Sequence, residues 1–297
     1  MMDGGRTPAG VPGMAGLPPS LRVATSFQPL FSVHSAALAG HEALARPVNM
    51  AGQPVCPTDY FATRSEAELK RVNLECRRAH LARFAALDEG KGFLYLNIHP
   101  RAVLAEASVA ASLRDEIGLY GLAPSRVCLE IIEDESGDEG LLAEAVAACR
   151  AIGVRVAMDD FGIARSNFDR MAALEPDFVK IDRSLLVEAV GCAKARRLLP
   201  SVVRLLHDAG TQVVVEGIEV ADEALFAIEA GADYVQGFFF GAPRPGLHVD
   251  PAAGRLLAQL KKLRISCERE PEDCEADPAT SCLARLLVAG RSRAGAG

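Results

Sequence analysis

The stretch Arg155-Val156-Ala157-Met158-Asp159-Asp160-Phe161-Gly162 decides the fold. A short apolar run ends in two adjacent carboxylates, an aromatic and a glycine. A second run, Phe178-Val179-Lys180-Ile181-Asp182, ends in the same way. Short apolar runs bounded by such signals read as buried strands, and strands buried on both faces belong to parallel sheets. Charges at the end of a buried strand are costly unless they are paired or bind a cation. These strand ends are therefore expected to hold a metal or an ion network.

Working outward, a module recurs. Amphipathic helices over 141–152, 198–209 and 221–230 are each closed by glycine, at Gly153, Gly210 and Gly231. Glycine just past a helix end supplies a left-handed cap. A buried strand follows each one, at 155–162, 212–219 and 234–240, and helix–glycine–strand repeats mark βα units. Earlier strands are expected at 27–31, 40–46, 93–98 and 127–133, with a helix over 65–87. That makes eight strands, near Gln28, Glu42, Asn97, Glu130, Asp159, Lys180, Glu216 and Gln236, and eight strands with helices between them point to a closed α/β barrel. The alternative is an open doubly wound sheet, but the usual Gly-x-Gly-x-x-Gly turn is missing. Residues 1–20 read as a disordered leader, 21–261 as the domain and 262–297 as a mostly disordered acidic tail.

The chain has 297 residues and a net charge of −7, which gives no basic field for DNA. The eight cysteines include no Cys-x-x-Cys pair, so zinc is not expected. Buried reduced thiols fit a cytoplasmic protein. No signal peptide or membrane span is expected.

In a parallel barrel the carboxyl ends of the strands meet at one rim. This chain brings Glu42, Asn97, Glu130, Asp159 with Asp160, Lys180 with Asp182, Glu216 and Gln236 there. Oxygen ligands without His or Cys suit Mg²⁺, Mn²⁺ or Ca²⁺. The carboxylates exceed the needs of one ion. Two ions about 3.5–4 Å apart, bridged by Asp159, would balance them and suit phosphoryl transfer. Lys180 would orient water or stabilise charge, and Arg46 offers a fork for a phosphate oxygen. Blander roles stand beside these: strand-end acids cap helices, Lys180 could neutralise Asp182 or Asp177, and Asn97 could serve a turn. His41 is expected to be packed rather than a ligand.

Glu42-Ala43-Leu44 with Arg46 resembles the signature of the EAL domain, a cyclic di-GMP phosphodiesterase family. The likeness extends through Gln28-Pro29, Asn97, 129–133, 159–162, 180–184, 216–219 and 236–238, and so covers about residues 24–257. The resemblance implies a modified TIM barrel with its first strand antiparallel. It implies hydrolysis of cyclic di-GMP to pGpG with Mg²⁺ or Mn²⁺, with Ca²⁺ inhibitory, and a homodimer open to a regulatory partner. Glu42, Asn97, Glu130 and Asp159 would hold one ion, and Asp159, Asp160 and Glu216 the second. Lys180 would contact the nucleophilic water with Asp182 as support. Gln28, Arg46 and Gln236 would meet substrate. Glu133 would pin the loop after the fifth strand through Ser166. In that loop Ile163-Ala164-Arg165-Ser166-Asn167-Phe168 departs from the family's Thr-Gly-Tyr-Ser-Ser-Leu type, and Pro47 stands where Trp is common. A receptor that binds without cleaving is therefore the second expectation, and a scaffold that ignores nucleotide the third.

Overall fold

The computed structural model describes residues 22–49, 51–62, 65–90, 92–104, 108–132, 138–162 and 167–269. Eight strands close into a barrel in sequence order. They are β1 (Arg22–Ser32), β2 (Ala37–Val48), β3 (Phe93–Ile98), β4 (Val127–Ile131), β5 (Arg155–Phe161), β6 (Phe178–Ile181), β7 (Gln212–Val215) and β8 (Tyr234–Gln236). The first strand is antiparallel to both of its neighbours, β2 and β8, and every other pair is parallel. The closed barrel replaces the open-sheet alternative.

Several boundaries differ from the sequence reading. β7 stops at Val215 and β8 at Gln236, so Glu216 lies on the loop just past its strand. The first hairpin is longer than expected, because paired antiparallel strands continue as far as the ladder is satisfied. The expected glycine caps are present: Gly153, Gly210 and Gly231 all have positive φ. The last helix, Pro251–Arg269, runs past the expected domain end at 261.

Side-chain alternation along the strands divides the interior into two layers. The lower layer is an apolar plug of Leu30, Tyr95, Cys128, Ala157, Phe178 and Val214. Two residues further along each parallel strand come Asn97, Glu130, Asp159, Lys180 and Glu216. On β1 the order is reversed, with Gln28 two residues before Leu30, because that strand runs the other way. The plug excludes water from below, so the polar layer is deeply buried yet opens only at the mouth. Two larger apolar shells lie between barrel and helices. Among the described residues, no helix is long and apolar enough to cross a membrane.

Candidate metal centre

Strand alternation alone would send Asp159 and Asp160 to opposite faces. Val156 and Met158 face the outer shells and Ala157 the plug, which puts Asp159 inward. The register then shifts: Met158 pairs with Val179 and Phe161 with Ile181, three steps on β5 against two on β6. The additional residue is Asp160, at φ +55°. A bulge of this kind re-aims a side chain, and Asp tolerates the left-handed region better than most residues. Asp160 thereby joins Asp159 at the mouth, and the two share a group of carboxylate oxygens with Glu216.

A second group comprises Glu42, Glu130 and Glu216. Glu216 is thus common to both groups, and Asp159, the shared position of the sequence reading, belongs to the first-named group. The Lys180 ammonium lies between them. It bonds Glu130 closely and reaches Glu216 Oε2 at 2.8 Å, Asp159 Oδ1 at 3.3 Å and Glu42 Oε2 at 3.5 Å. Glu42 is fixed from two further sides: Asn97 Nδ2 donates to its Oε1 and Gln236 Nε2 to its Oε2, each at 2.7 Å.

The electrostatics are lopsided, with four carboxylates facing one ammonium. Lys180 is 2% and Glu130 0% exposed. Burial alone would lower the Lys180 pKa, but Asp159, Glu130, Glu216 and Glu42 together drive it well above its ordinary value. The lysine therefore stays charged. Burial and the neighbouring Glu42 push Glu130 well up. Burial, helped by Asp159 and Glu42 against the opposing pull of Lys180, lifts Glu216 to about 8. Glu130 Oε2 and Asp159 Oδ1 are buried without a hydrogen-bond partner; for Asp159 the lysine is near but not aligned. Orphaned carboxylate oxygens in two groups of hard donors are what divalent cations such as Mg²⁺ or Mn²⁺ take, so the residues fit such ions.

Beside these groups lies a cavity of about 280 Å³, lined in part by Gln28, Asp182, Glu216, Gln236 and Phe238. Asp182 caps the helix Arg183–Gly191 by accepting from Ser184 N at 2.7 Å, and Asp177 accepts from Val156 N. The lysine sits with the strand-end acids rather than with either of these. Arg46 does not line the cavity. It donates to Ala45 O and lies about 13 Å along β2 from Glu42 on the same face. His41 is buried edge-on against Phe27, as expected of a packed histidine. Glu133 and Ser166 fall outside the described residues.

Sequence reasoning missed Arg183, Glu219 and Phe238 as wall residues of the cavity. The ring of Phe238 is 63% exposed, unusual for a phenylalanine in an apolar run, and no alternation pattern marks it because the strand has already ended.

The family model of the EAL domain matches residues 20–243. Cyclic di-GMP phosphodiesterase RocR of Pseudomonas aeruginosa is 28% identical over 237 residues, covering 75% of this chain and 57% of RocR. Probable cyclic di-GMP phosphodiesterase PdeB of Escherichia coli is 25% identical over 232 residues, covering 75% of this chain and 43% of PdeB. The chain thus spans less than two thirds of these relatives. The solved structure of Klebsiella pneumoniae BlrP1 in its manganese/cy-diGMP complex superposes with a TM-score of 0.68 at 26% identity, covering 80% of this chain and 58% of that one. A standalone EAL protein of Vibrio cholerae shares the fold, with a TM-score of 0.70 at 22% identity over 78% of this chain and 98% of that one. With the family model matching well over half its length, this chain belongs to the EAL domain family.

Proposed function

We propose that the chain hydrolyses cyclic di-GMP to linear pGpG with two divalent cations, Mg²⁺ or Mn²⁺. One observation carries the reading: the buried ring of Glu42, Glu130, Asp159 and Glu216 faces a single ammonium and leaves carboxylate oxygens unpartnered. In this reading Glu42, Asn97, Glu130 and Asp159 would hold one ion and Asp159, Asp160 and Glu216 the other, with Glu216 also within reach of the Glu42 and Glu130 oxygens. Such ions activate a water nucleophile and neutralise charge on the phosphate.

The chain's own groups do the rest. Asn97 and Gln236 hold the Glu42 carboxylate in one orientation. Lys180, kept protonated by its acidic neighbours, donates to the attacking water and steadies the phosphate. Asp182 fixes the backbone two residues beyond Lys180 by capping the next helix. Gln28 offers its amide from the cavity wall, and Phe238 an exposed face for a guanine to stack on. Arg46 offers a fork to a phosphate oxygen reaching up β2. Glu133 belongs to the same proposal as the residue that pins the loop after β5. Ca²⁺ is expected to take the same oxygens without supporting turnover. A cytoplasmic setting, a homodimer and control by a protein partner complete the reading.

The test is purified protein with cyclic di-GMP and Mg²⁺ or Mn²⁺. Release of pGpG is expected; no release above a Glu42→Ala control defeats the reading. A second reading, a receptor that binds without cleaving, is favoured by the departure from the family sequence at 163–168. Tight nucleotide binding without metal and without turnover would establish it.

A further inference from the structure

Glu216 keeps the inward phase of β7 but stands just beyond its last paired residue, so groups outside the strand pairing must hold its carboxylate in place. What surrounds it is a set of fixed backbone groups. Glu216 N donates to Ile181 O at 3.2 Å and Ile218 N to Gln236 O at 3.1 Å. Glu219 N and Val220 N both donate to Glu223 Oε2, at 2.7 and 3.3 Å. The remaining anchor is a side chain from the neighbouring crossover. Arg183 Nη1 donates to Gly217 O and, at 3.0 Å, to Glu223 Oε2; its Nη2 donates to Glu219 Oε2, also at 3.0 Å. Gly217 has φ +67°, and a Cβ there would collide with the Arg183 side chain. The guanidinium therefore packs directly onto the residue that follows the metal-group carboxylate.

We propose that Arg183 is a positioning residue for the metal centre: by pinning Gly217 O, Glu219 and Glu223 together, it holds Glu216 where both carboxylate groups share it. The inference rests on the metal reading above. Arg183 lies three residues after Lys180, on the far side of the Asp182 cap. One short segment thus fixes both the ammonium and, across the sheet, the carboxylate it faces. Partners that orient a ligand without touching the ion typically govern affinity about 10–100-fold.

The experiment measures Mn²⁺ affinity on the full chain by the resonance signal of free Mn²⁺, well below the unfolding temperature and without substrate. Arg183→Met is expected to weaken binding about 10–100-fold. Arg183→Lys, which keeps a cation for Gly217 O, is expected to recover part of the loss. Glu223→Gln, a milder change that stays informative if Arg183→Met does not fold, is expected to move affinity the same way by less. In activity assays the Mn²⁺ needed for half-activation is expected to rise, while kcat at saturating Mn²⁺ returns toward the wild-type value. Wild-type Mn²⁺ affinity in Arg183→Met or Glu223→Gln, with only the melting temperature lowered, would make the clamp a structural strut and overturn the proposal. A wild-type protein that binds no Mn²⁺ would instead sink the metal reading, and the clamp with it.

Discussion

The Arg77–Glu116 network and the Lys180 cluster are both buried and both ionic, but they are balanced in opposite ways. Arg77 and Glu116, each 5% exposed, tie the helix Glu66–Leu87 to the helix Val109–Leu119. One carboxylate meets two guanidiniums there, at 2.5 Å from Arg77 and 3.0 Å from Arg78, with Ser112 filling a further valence. Neither Glu116 oxygen is left over. At the barrel mouth four carboxylates share one ammonium, and two of their oxygens are left without a hydrogen bond. A buried network that serves stability closes on itself, because an unpartnered buried charge is costly. A network that leaves negative charge uncompensated is built to receive something positive.

The widest separation of the two regions comes from removing a central charge in each. Lys180→Met is expected to lower turnover by about 10²–10³-fold, the usual worth of one preorganised donor that stabilises developing charge. In chelator it also leaves the four acids without their ammonium, a loss of about 3–5 kcal/mol. Mn²⁺ is expected to restore that stability. Glu116→Ala should cost a similar 3–5 kcal/mol, but Mn²⁺ should not restore it, and activity per folded molecule should be unchanged. Thermal melts with and without Mn²⁺, beside a pGpG assay, decide the matter. Recovery of both variants by Mn²⁺, or of neither, breaks the distinction.

Binding to the folded state alone stabilises it, by about 2.7 kcal/mol at a ligand concentration 100 times Kd. Mn²⁺ is therefore expected to raise the wild-type melting temperature. Glu130→Gln should shrink that rise, while Ser112→Ala should leave it intact.

The pH response sharpens the same contrast. Glu216 is lifted to about 8 from 4.5, and Glu130 is raised as well. A carboxyl with a raised folded pKa binds its proton more tightly when folded. Its contribution is full below the unfolded pKa and is lost as pH rises through the folded one. His41 and His80, both lowered to about 4 by burial, act below 6.5, where stability falls as pH drops toward 4. Above about pH 6.5 the two buried histidines have finished titrating, and the raised Glu216 still acts up to about 8. In chelator the melting temperature is expected to fall across that window. In Mn²⁺ the slope should flatten or reverse, because ligands must be deprotonated to bind. Identical slopes in the two conditions would count against a metal centre.

Most of the barrel was legible because its period is simple: inward residues recur every second position, and strand-end acids announce themselves against Val and Ile. The helix caps were legible because glycine has one strong reason to stand at Gly153, Gly210 and Gly231. Asp160 was legible as a ligand type but not as a geometry, since its inward aim depends on a bulge and a positive φ that no alternation reveals. Glu216 was legible as a ligand type, but its membership of both groups was not, because that depends on distances between strands that no period in one strand reveals. Arg183 and Glu223 looked like ordinary helix-surface charges, 40 positions apart. Only the pairing of β6 with β7 brings them together. The first-strand direction came from the family likeness alone, because hydrophobic patterning is the same whichever way a strand runs.

The smallest expected effect belongs to the balanced network. Ser112 Oγ accepts from Arg77 Nη2 at 3.0 Å and donates to Glu116 Oε1 at 3.3 Å. Ser112→Ala removes both bonds but leaves every charge in place, so a loss of about 0.5–1.5 kcal/mol is expected. Turnover and Mn²⁺ affinity should stay at wild-type values, because nothing in that network reaches the barrel mouth. Asn97→Ala also removes one polar side chain, but Asn97 is a proposed ligand of the first ion and also holds Glu42, a member of a metal group. Its loss should appear mainly in Mn²⁺ affinity, in the range of about 10–100-fold, and only slightly in the melt of the chelated protein. If the two alanine variants gave the same pattern, buried polar contacts here would be interchangeable. The uneven charge at the mouth would then mark nothing more than an expensive piece of packing.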